Sequence, residues 1–314
     1  MPPRPGGSCR SFRWVARGQE TGSADPKRYP EEVGLREITT DAIAGAVARL
    51  CIEACVDLPA DVEAAIRAGL EREESPLGRE VLWLALENAR LARERRLPIC
   101  QDTGFVSVLV ELGQEACVVG GDLNEAIHEG VRRGYAEGRL RCSVLDHPLR
   151  RKNTGDNTPA AIHVDIVPGD RLRIRVMPKG GGCENMSALR ILKPSEGEEA
   201  VKQFVVETVF NAGPNACPPL VVGVGIGGTF DLCPHLAKRA LFRPLGEHSQ
   251  DPDDARLERE LLERVNATGL GPSGFGGRIT ALAVNVESYP CHITALPVAV
   301  NVQCHAARHK EAVL

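Results

Sequence analysis

The sequence has no long apolar run, no basic charge balance and few aromatic residues. None of its apolar segments reaches the roughly 20 residues that a membrane-spanning helix needs. Lysine and arginine number 38 against 42 aspartate and glutamate residues, and aromatic residues make up only 4%. Nucleic-acid-binding chains usually carry a clustered basic surface, and single-strand binders stack bases on aromatic side chains. We therefore expect neither a nucleic acid nor a membrane among the partners.

An apolar export signal and a compact Cys-x-x-Cys motif are missing as well. The first residues are rich in proline, glycine and arginine, so residues 1–30 are expected to form a disordered or weakly ordered tail. The cysteines number 11, and an odd count disfavours a disulfide framework. A reducing, cytoplasmic location follows as the expectation. Most of these cysteines are expected in the core, where free cysteine is common.

The apolar periodicity predicts a mixed α/β (α+β) fold. Helical spacing covers three segments near the start, residues 40–57, 60–72 and 76–96. Further helices are predicted at about residues 122–137, 195–211, 231–242 and 252–267. Strands are predicted at residues 105–112, 220–224, 281–286 and 293–302. We thus expect one catalytic domain, residues 31–314, with a helical part over 37–96 and an α/β part over 97–314 that contains a mixed sheet.

A hairpin is predicted in the middle of the chain. Residues 161–167 and 171–177 each alternate apolar and polar side chains, and Pro168-Gly169-Asp170 lies between them. This pattern is typical of two antiparallel strands joined by a tight turn.

Glycine gathers at three places, residues 179–185, 223–228 and 269–277. Such clusters expose backbone N–H groups and allow close approach of a ligand, so at least one is expected to bind an anion. The run from Gly223 to Gly228 also matches the dinucleotide-binding fingerprint. The strand before it is short, however, and no full βαβ unit surrounds it. A nicotinamide-dependent dehydrogenase is kept as an alternative on this evidence.

Cys100, Cys217 and Cys304 differ from the other cysteines because they lie in loop-like breaks beside proline, glycine or polar residues. Loops of this kind can supply thiolates to a metal centre, since nearby N–H groups stabilise the sulfurs. Spacing alone makes this a weak indication.

Two other motifs compete with that interpretation. Asp102-Thr103-Gly104 matches the aspartic-protease triplet, but that chemistry needs a second carboxylate and no second triplet exists. Zinc is the other possibility, with ligands drawn from Cys291-His292 and Cys304-His305 together with His309. Adjacent ligands do not match the usual spacing of zinc sites.

Six segments in order resemble the class I fumarases and L-tartrate dehydratases. They are residues 97–104, 154–160, 179–182, 217–219 with the glycine run after them, 274–277, and 289–292 followed by 303–309. The resemblance covers roughly residue 37 to the C-terminus. Some members of the family carry a further C-terminal domain, which in two-subunit members is a separate protein. Because this chain ends five residues after His309, it resembles the alpha subunit. We expect a beta subunit and a heterotetramer.

The resemblance implies a [4Fe–4S] cluster held by Cys100, Cys217 and Cys304. Three ligands leave one iron open, and an open iron can act as a Lewis acid on the hydroxyl and a carboxylate of a small dicarboxylate substrate. Removal of the neighbouring proton needs a positioned base. In the family that base is thought to come from the missing domain.

Further site residues carry over from the resemblance. The catalytic set is Gln101, Asp102 and His292. The substrate-binding set is Arg141, Gly180, Gly181 and Lys179. Arg141 is expected to clamp a carboxylate, with Arg139 as the competing match. Cys183 and Cys291 depart from the family pattern, and they are the competing ligands if one of the three proposed cysteines is wrong.

These implications together predict a hydro-lyase that interconverts fumarate and L-malate. Dehydration of L(+)-tartrate to oxaloacetate is the alternative, because both reactions remove water across a dicarboxylate. A non-enzymatic iron or redox sensor is a competing class, although Gln101, Asp102 and His292 would have no purpose in a sensor.

Overall fold

The computed structural model describes residues 34–314, so the predicted tail at residues 1–30 lies outside the described residues. Helices and strands are interleaved, which confirms the mixed α/β class. The helices are α1 (Thr40–Val56), α2 (Ala60–Arg72), α3 (Pro76–Arg95), α4 (Leu123–Glu137), the short α5 (Gly181–Glu184), α6 (Gly197–Ala212), α7 (Leu232–Ala240) and α8 (Pro252–Asn266). The strands are β1 (Arg36–Thr39), β2 (Phe105–Gly113), β3 (Ala116–Val119), β4 (Ala161–Val167), β5 (Leu172–Lys179), β6 (Ala188–Leu192), β7 (Leu220–Gly227), β8 (Ala281–Tyr289), β9 (Leu296–Gln303) and β10 (Lys310–Val313).

Local capping explains where the main helices begin. Thr39 and Asp122 accept N–H groups in the first turns of α1 and α4. Ser75 caps α3, and a proline follows it at the first helical position, where a missing N–H costs nothing. The helices predicted at residues 40–57, 60–72 and 76–96 are confirmed to within a residue or two.

The first sheet has the order β10-β5-β2-β4 and packs beneath α1 and α4. Its core contains Cys51 and Cys55 of α1, both fully buried. Burial raises the pKa of Cys55 to about 11 and that of Cys51 further, so these thiols are packing residues.

The predicted hairpin is wrong. Strands β4 and β5 do not pair with each other, because β2 lies between them, parallel to β4 and antiparallel to β5. The turn at residues 168–170 instead wraps around the end of β2, where Gly113 and Glu115 donate to the carbonyls of Arg171 and Gly169. Strand β2 is buried on both faces and so occupies the centre of the sheet.

The second sheet has the order β6-β9-β7-β8. Helices α6 and α8 pack on one face, and α7 covers the other. A Cβ on Gly225 would come within 2.2 Å of the Cys233 carbonyl oxygen of α7, and one on Gly223 within 2.0 Å of that of Ala237. These glycines lie inside β7 and allow α7 to pack closely on the strand. They are not a phosphate-binding loop, which removes the basis of the dinucleotide interpretation.

A third apolar cluster joins the two sheets and includes Met177 of the first, Val221 of the second and Ala306. Residues 304–309 connect β9 in the second sheet to β10 in the first. Cys100, Cys217 and Cys304 lie in the region where the two sheets meet. Within residues 34–314, no helix has both the length and the apolar character required to cross a bilayer.

Candidate active site

Three loops bring Cys100, Cys217 and Cys304 into one region. Cys100 follows α3, Cys217 precedes β7 in a left-handed conformation with φ of 55°, and Cys304 follows β9. The backbone N–H of His305 donates to the Cys217 carbonyl at 3.3 Å, and its Nδ1 lies 3.1 Å from the same oxygen. This contact joins two of the loops. Nη2 of Arg308, four residues after Cys304, donates to the carbonyl of Asp102, two residues after Cys100, so the third loop is also close. Burial and the thiols of Cys100 and Cys183 raise the pKa of Cys217.

Asp102 is held in place by three donors. Its Oδ1 accepts the Gly104 N–H at 3.0 Å and lies 3.4 Å from Nη2 of Arg141, while Oδ2 accepts the Gly181 N–H at 2.9 Å. The Asp102 N–H in turn lies 3.4 Å from the Cys100 sulfur. The carboxylate therefore fixes the first cysteine loop to the loop that follows β5.

Arg141 is open to solvent, with 56% of its side chain exposed. One edge of its guanidinium faces Asp102, which leaves other N–H groups free to grip a carboxylate. Arg139 has a left-handed φ of 51° after α4, and within the described residues its side chain makes no hydrogen bond or ion pair with the cysteine loops. The geometry places Arg141, and not Arg139, beside Asp102. Gln101 is exposed next to Cys100, with its Oε1 3.4 Å from that sulfur.

Lys179 faces inward, because only 2% of it is exposed. Its ammonium contacts Glu184 Oε2 at 2.8 Å, the Val302 carbonyl at 2.5 Å and the Cys183 sulfur at 3.6 Å. Lys179 thus supports the loop that follows β5 through buried contacts. The Gly181 N–H is used by Asp102, so a substrate carboxylate would compete with Asp102 for it, while Gly180 lies directly beside the Asp102 carboxylate.

Cys183 is buried in α5, where its sulfur lies 3.3 Å from the Gly180 carbonyl oxygen and 3.5 Å from Oε1 of Gln303, the residue before Cys304. The hydrogen bond from Cys304 and the ammonium of Lys179 lower the pKa of Cys183, and the same hydrogen bond together with burial raises the pKa of Cys304. Cys183 is therefore a fourth thiol at the place where the three loop cysteines meet.

His292 is not brought to this region. It lies in the connection between β8 and β9, whereas Cys304 follows the other end of β9. An eight-residue strand spans about 25 Å, so His292 is outside the site in this chain alone. Its Nδ1 lies 2.8 Å from Thr294 Oγ1. The same separation parts Cys291 from Cys304 and removes the basis of the zinc interpretation.

Sequence reasoning missed Arg308, although the residue lies within a segment singled out for its cysteine. Arg308 is 2% exposed and donates to the carbonyl oxygens of Pro178 and Asp102. Burial lowers its pKa, but the thiols of Cys55, Cys304 and Cys100 raise it by more. Arg308 lies two residues before β10. Its role could not be read from the motif, because these contacts are tertiary.

Two further residues hold the loop that contains Asp102. Tyr135 donates to the Thr103 carbonyl at 2.7 Å, and Asn157 Nδ2 donates to the Gly104 carbonyl at 3.1 Å. Asn157 is fully buried and has a positive φ of 61°. Its place in the segment 154–160 was the only indication in the sequence.

The residues present fit an iron–sulfur group, because cysteine thiolates are the usual ligands of such clusters. Cys100, Cys217 and Cys304 are free thiols, and their loops are joined by hydrogen bonds. Among residues 34–314, no group of three or more His, Cys, Asp or Glu side chains is arranged to hold one metal ion. Nη1 of Arg308 is buried and has no hydrogen-bond partner within the described part of the chain. An anionic group bound between these thiols would supply one.

Comparison with known proteins identifies the family of the chain. The family model described as fumarate hydratase (Fumerase) matches residues 44–313. A Methanocaldococcus jannaschii relative, provisionally named an L(+)-tartrate dehydratase subunit alpha, is 43% identical over 274 residues, which is 85% of this chain and 95% of the relative. The L(+)-tartrate dehydratase subunit alpha of Escherichia coli strain UTI89 is 34% identical over 255 residues, or 80% of this chain and 84% of the relative. The chain therefore belongs to the fumarate hydratase (Fumerase) family.

Proposed function

We propose that this chain is the cluster-bearing alpha subunit of a hydro-lyase that acts on a four-carbon hydroxy-dicarboxylate. Cys100, Cys217 and Cys304 would hold a [4Fe–4S] cluster. The main support is that the loops of three free thiols meet and that Arg308, which joins two of these loops, has a buried Nη1 with no partner among the described residues. When bound, the cluster supplies an open iron that acts as a Lewis acid on the leaving hydroxyl and its neighbouring carboxylate.

The protein side chains supply the binding and the orientation. Arg141 is exposed and fixed at one edge by Asp102, so its remaining N–H groups can bind a substrate carboxylate in a bidentate manner. Asp102 is held by the N–H groups of Gly104 and Gly181, which keeps its carboxylate in one position beside Cys100. Gln101, on the exposed side of the same loop, offers an amide to the substrate hydroxyl or the departing water.

Two substrates fit this chemistry. L(+)-tartrate is the better supported one, because the relatives at 43% and 34% identity are named as subunits of L(+)-tartrate dehydratase. Interconversion of fumarate and L-malate is the second candidate, and it agrees with the description of the family model. The two pairs differ by one hydroxyl, which a specific site would have to recognise by hydrogen bonding.

A partner subunit belongs to the proposal. The relatives are named alpha subunits, which implies a second kind of chain in those enzymes. We infer that a beta subunit completes the present site and supplies the base for the second half of the reaction. Pairing of two such units into a heterotetramer stays a prediction.

The test is an anaerobic assay of the reconstituted chain with and without a co-expressed beta subunit. We expect formation of oxaloacetate from L(+)-tartrate, or of fumarate from L-malate, only when both chains are present. The Arg141→Gln variant should lose activity while it retains iron. Full turnover by this chain alone would refute the two-subunit proposal, and activity of the complex without iron would refute the role of the cluster.

A further inference from the structure

The backbone of Arg141 is bonded to the loop that contains Asp102 through a buried hydroxyl. Thr103 Oγ1 donates to the Arg141 carbonyl oxygen at 2.7 Å, and Thr103 is 1% exposed. Thr103 directly follows Asp102, whose carboxylate faces the Arg141 guanidinium. The contact between Asp102 and Arg141 is therefore accompanied by a hydrogen bond to the backbone from which the Arg141 side chain extends.

Asn157 makes a second link between the same two segments. Its Oδ1 accepts the Ser143 N–H at 2.7 Å, and its Nδ2 donates to the Gly104 carbonyl at 3.1 Å. The side chain is fully buried. It thus joins the residue two positions after Arg141 to the residue two positions after Asp102.

The side chain of Arg141 has little else to hold it in place. It is 56% exposed, and its guanidinium lies 3.4 Å from the Asp102 carboxylate. An ion pair that is open to solvent contributes little free energy. Buried hydrogen bonds constrain the chain more firmly, because a buried donor or acceptor left without a partner is costly. The bonds of Thr103 and Asn157 therefore fix the backbone on which the position of the guanidinium depends.

We propose that Thr103 and Asn157 are positioning residues, which set the placement of the Arg141 guanidinium beside Asp102 and so its binding of a substrate carboxylate. The inference rests on the proposed function, in which Arg141 binds that carboxylate. Both side chains are buried, so they act through Arg141 and not by contact with the substrate. Misplacement of a binding group by about 1 Å can lower a rate on the order of a hundredfold.

The experiment is a double-mutant cycle on the anaerobically reconstituted complex with a co-expressed beta subunit. Thr103→Val keeps the shape of the side chain and removes the donor to the Arg141 carbonyl. We expect it to raise KM and lower kcat/KM about tenfold with an unchanged iron content. In the Arg141→Gln background it should lower the residual kcat/KM no further, since a residue that acts only through Arg141 then has nothing to position.

Two further variants separate positioning from folding. Thr103→Ser keeps the hydroxyl and should retain the KM of the parent. Asn157→Gly removes the second link without straining the backbone, because position 157 has a φ of 61°, which glycine adopts freely. It should raise KM as Thr103→Val does, and it serves in the cycle if Thr103→Val does not fold.

Thr208→Val is the matched control, because it makes the same substitution at a bond of the same kind. Thr208 is 6% exposed, and its Oγ1 donates to the Phe204 carbonyl at 2.8 Å. That bond lies within α6 and joins neither Arg141 nor Asp102. The KM of Thr208→Val should therefore equal that of the parent, and a rise as large as in Thr103→Val would contradict a positioning role specific to Thr103.

Amide hydrogen exchange, followed by mass spectrometry, tests the contacts without turnover. Residues 141–144 should exchange faster in Asn157→Gly than in the parent, because the Ser143 N–H loses its acceptor. Unchanged exchange there, a lower iron content in Thr103→Val, or an equal loss of kcat/KM with and without Arg141→Gln would overturn this inference. Turnover without iron, or no turnover by the parent complex, would instead refute the proposed function.

Discussion

At the scale of single residues, two arginines contact Asp102, and they differ in burial. Arg308 is buried and donates to the carbonyl of Asp102, whereas Arg141 is exposed and contacts its carboxylate. Both carry a positive charge near the same residue. From their different burial we propose that Arg308 has a structural role and supports the cluster, and that Arg141 binds the substrate.

Replacement of each arginine by glutamine should separate these roles. Arg308→Gln leaves buried carbonyls without donors, so we expect a loss of about 3 kcal/mol in the free energy of unfolding and a lower iron content. Arg141→Gln should change stability by less than about 0.5 kcal/mol and raise KM roughly tenfold or more. Urea unfolding, iron analysis and kinetics of the complex measure these effects. The reverse pattern would contradict the assignment.

Glu184 tests how much its ion pairs with Lys179 and Lys238 stabilise the folded chain. Burial alone would raise its pKa, but Lys179 and Lys238 outweigh that effect and lower the pKa from 4.5 to about 2. The folded state therefore favours the ionised form. Its contribution to stability is complete above about pH 4.5 and is lost as the pH falls toward 2.

Glu184→Gln should accordingly be less stable than the parent at pH 6, by about 1–2 kcal/mol once solvent screening is considered. The difference should disappear as the pH approaches 2. Urea unfolding across this pH range measures it, and Glu207→Gln controls for the loss of a carboxylate of equal exposure. A difference that stays constant with pH would show that the ion pairs of Glu184 do not cause the effect.

At the scale of elements, the close packing of α7 on β7 depends on glycine. A Cβ at position 225 would overlap the α7 backbone at Cys233. Gly225→Ala should therefore destabilise the chain by about 3 kcal/mol. Gly45→Ala is the matched control, because it lies in α1 with no atom within 4 Å of the added Cβ. It should be neutral or stabilise by up to about 1 kcal/mol, as thermal unfolding can show.

The long helices were predictable from the sequence because of their apolar period, and α1, α3, α4 and α8 also begin at a capping side chain. The pairing of the strands could not be predicted from the sequence. Alternation along residues 161–167 and 171–177 shows which face of each strand is buried, but it does not show that β2 separates them. The short strands β1, β3, β6 and β10 were missed, since four or five residues carry too little pattern.

The candidate site was predictable in part. The loop cysteines, Asp102 and Arg141 lie together in the structure, while His292 does not. Lys179 was expected to bind substrate, but it is buried, and lysine is rarely buried without a partner. Its partners Glu184 and Val302 come from α5 and β9, and such tertiary pairings leave no trace in local sequence.

At the scale of the whole molecule, the site lies where two sheets with separate cores meet. Cys100 belongs to the half that contains β2, Cys217 leads into β7, and the segment after Cys304 passes from one half to the other. A cluster bound by all three would tie the halves together. We expect reconstitution to raise the midpoint of thermal unfolding by several degrees, because a ligand that binds only the folded state stabilises it. An unchanged midpoint with bound iron would contradict this.

The most direct test of the central claim is the amount of iron and acid-labile sulfide per chain after anaerobic reconstitution. Cys304→Ala should be compared with the parent and with Cys233→Ala, which removes a buried thiol remote from the loop cysteines. The account predicts about four irons and four sulfides in the parent and in Cys233→Ala, and a sharp fall in Cys304→Ala. Little or no bound iron in the parent, or equal amounts in all three proteins, would contradict a cluster held by Cys100, Cys217 and Cys304.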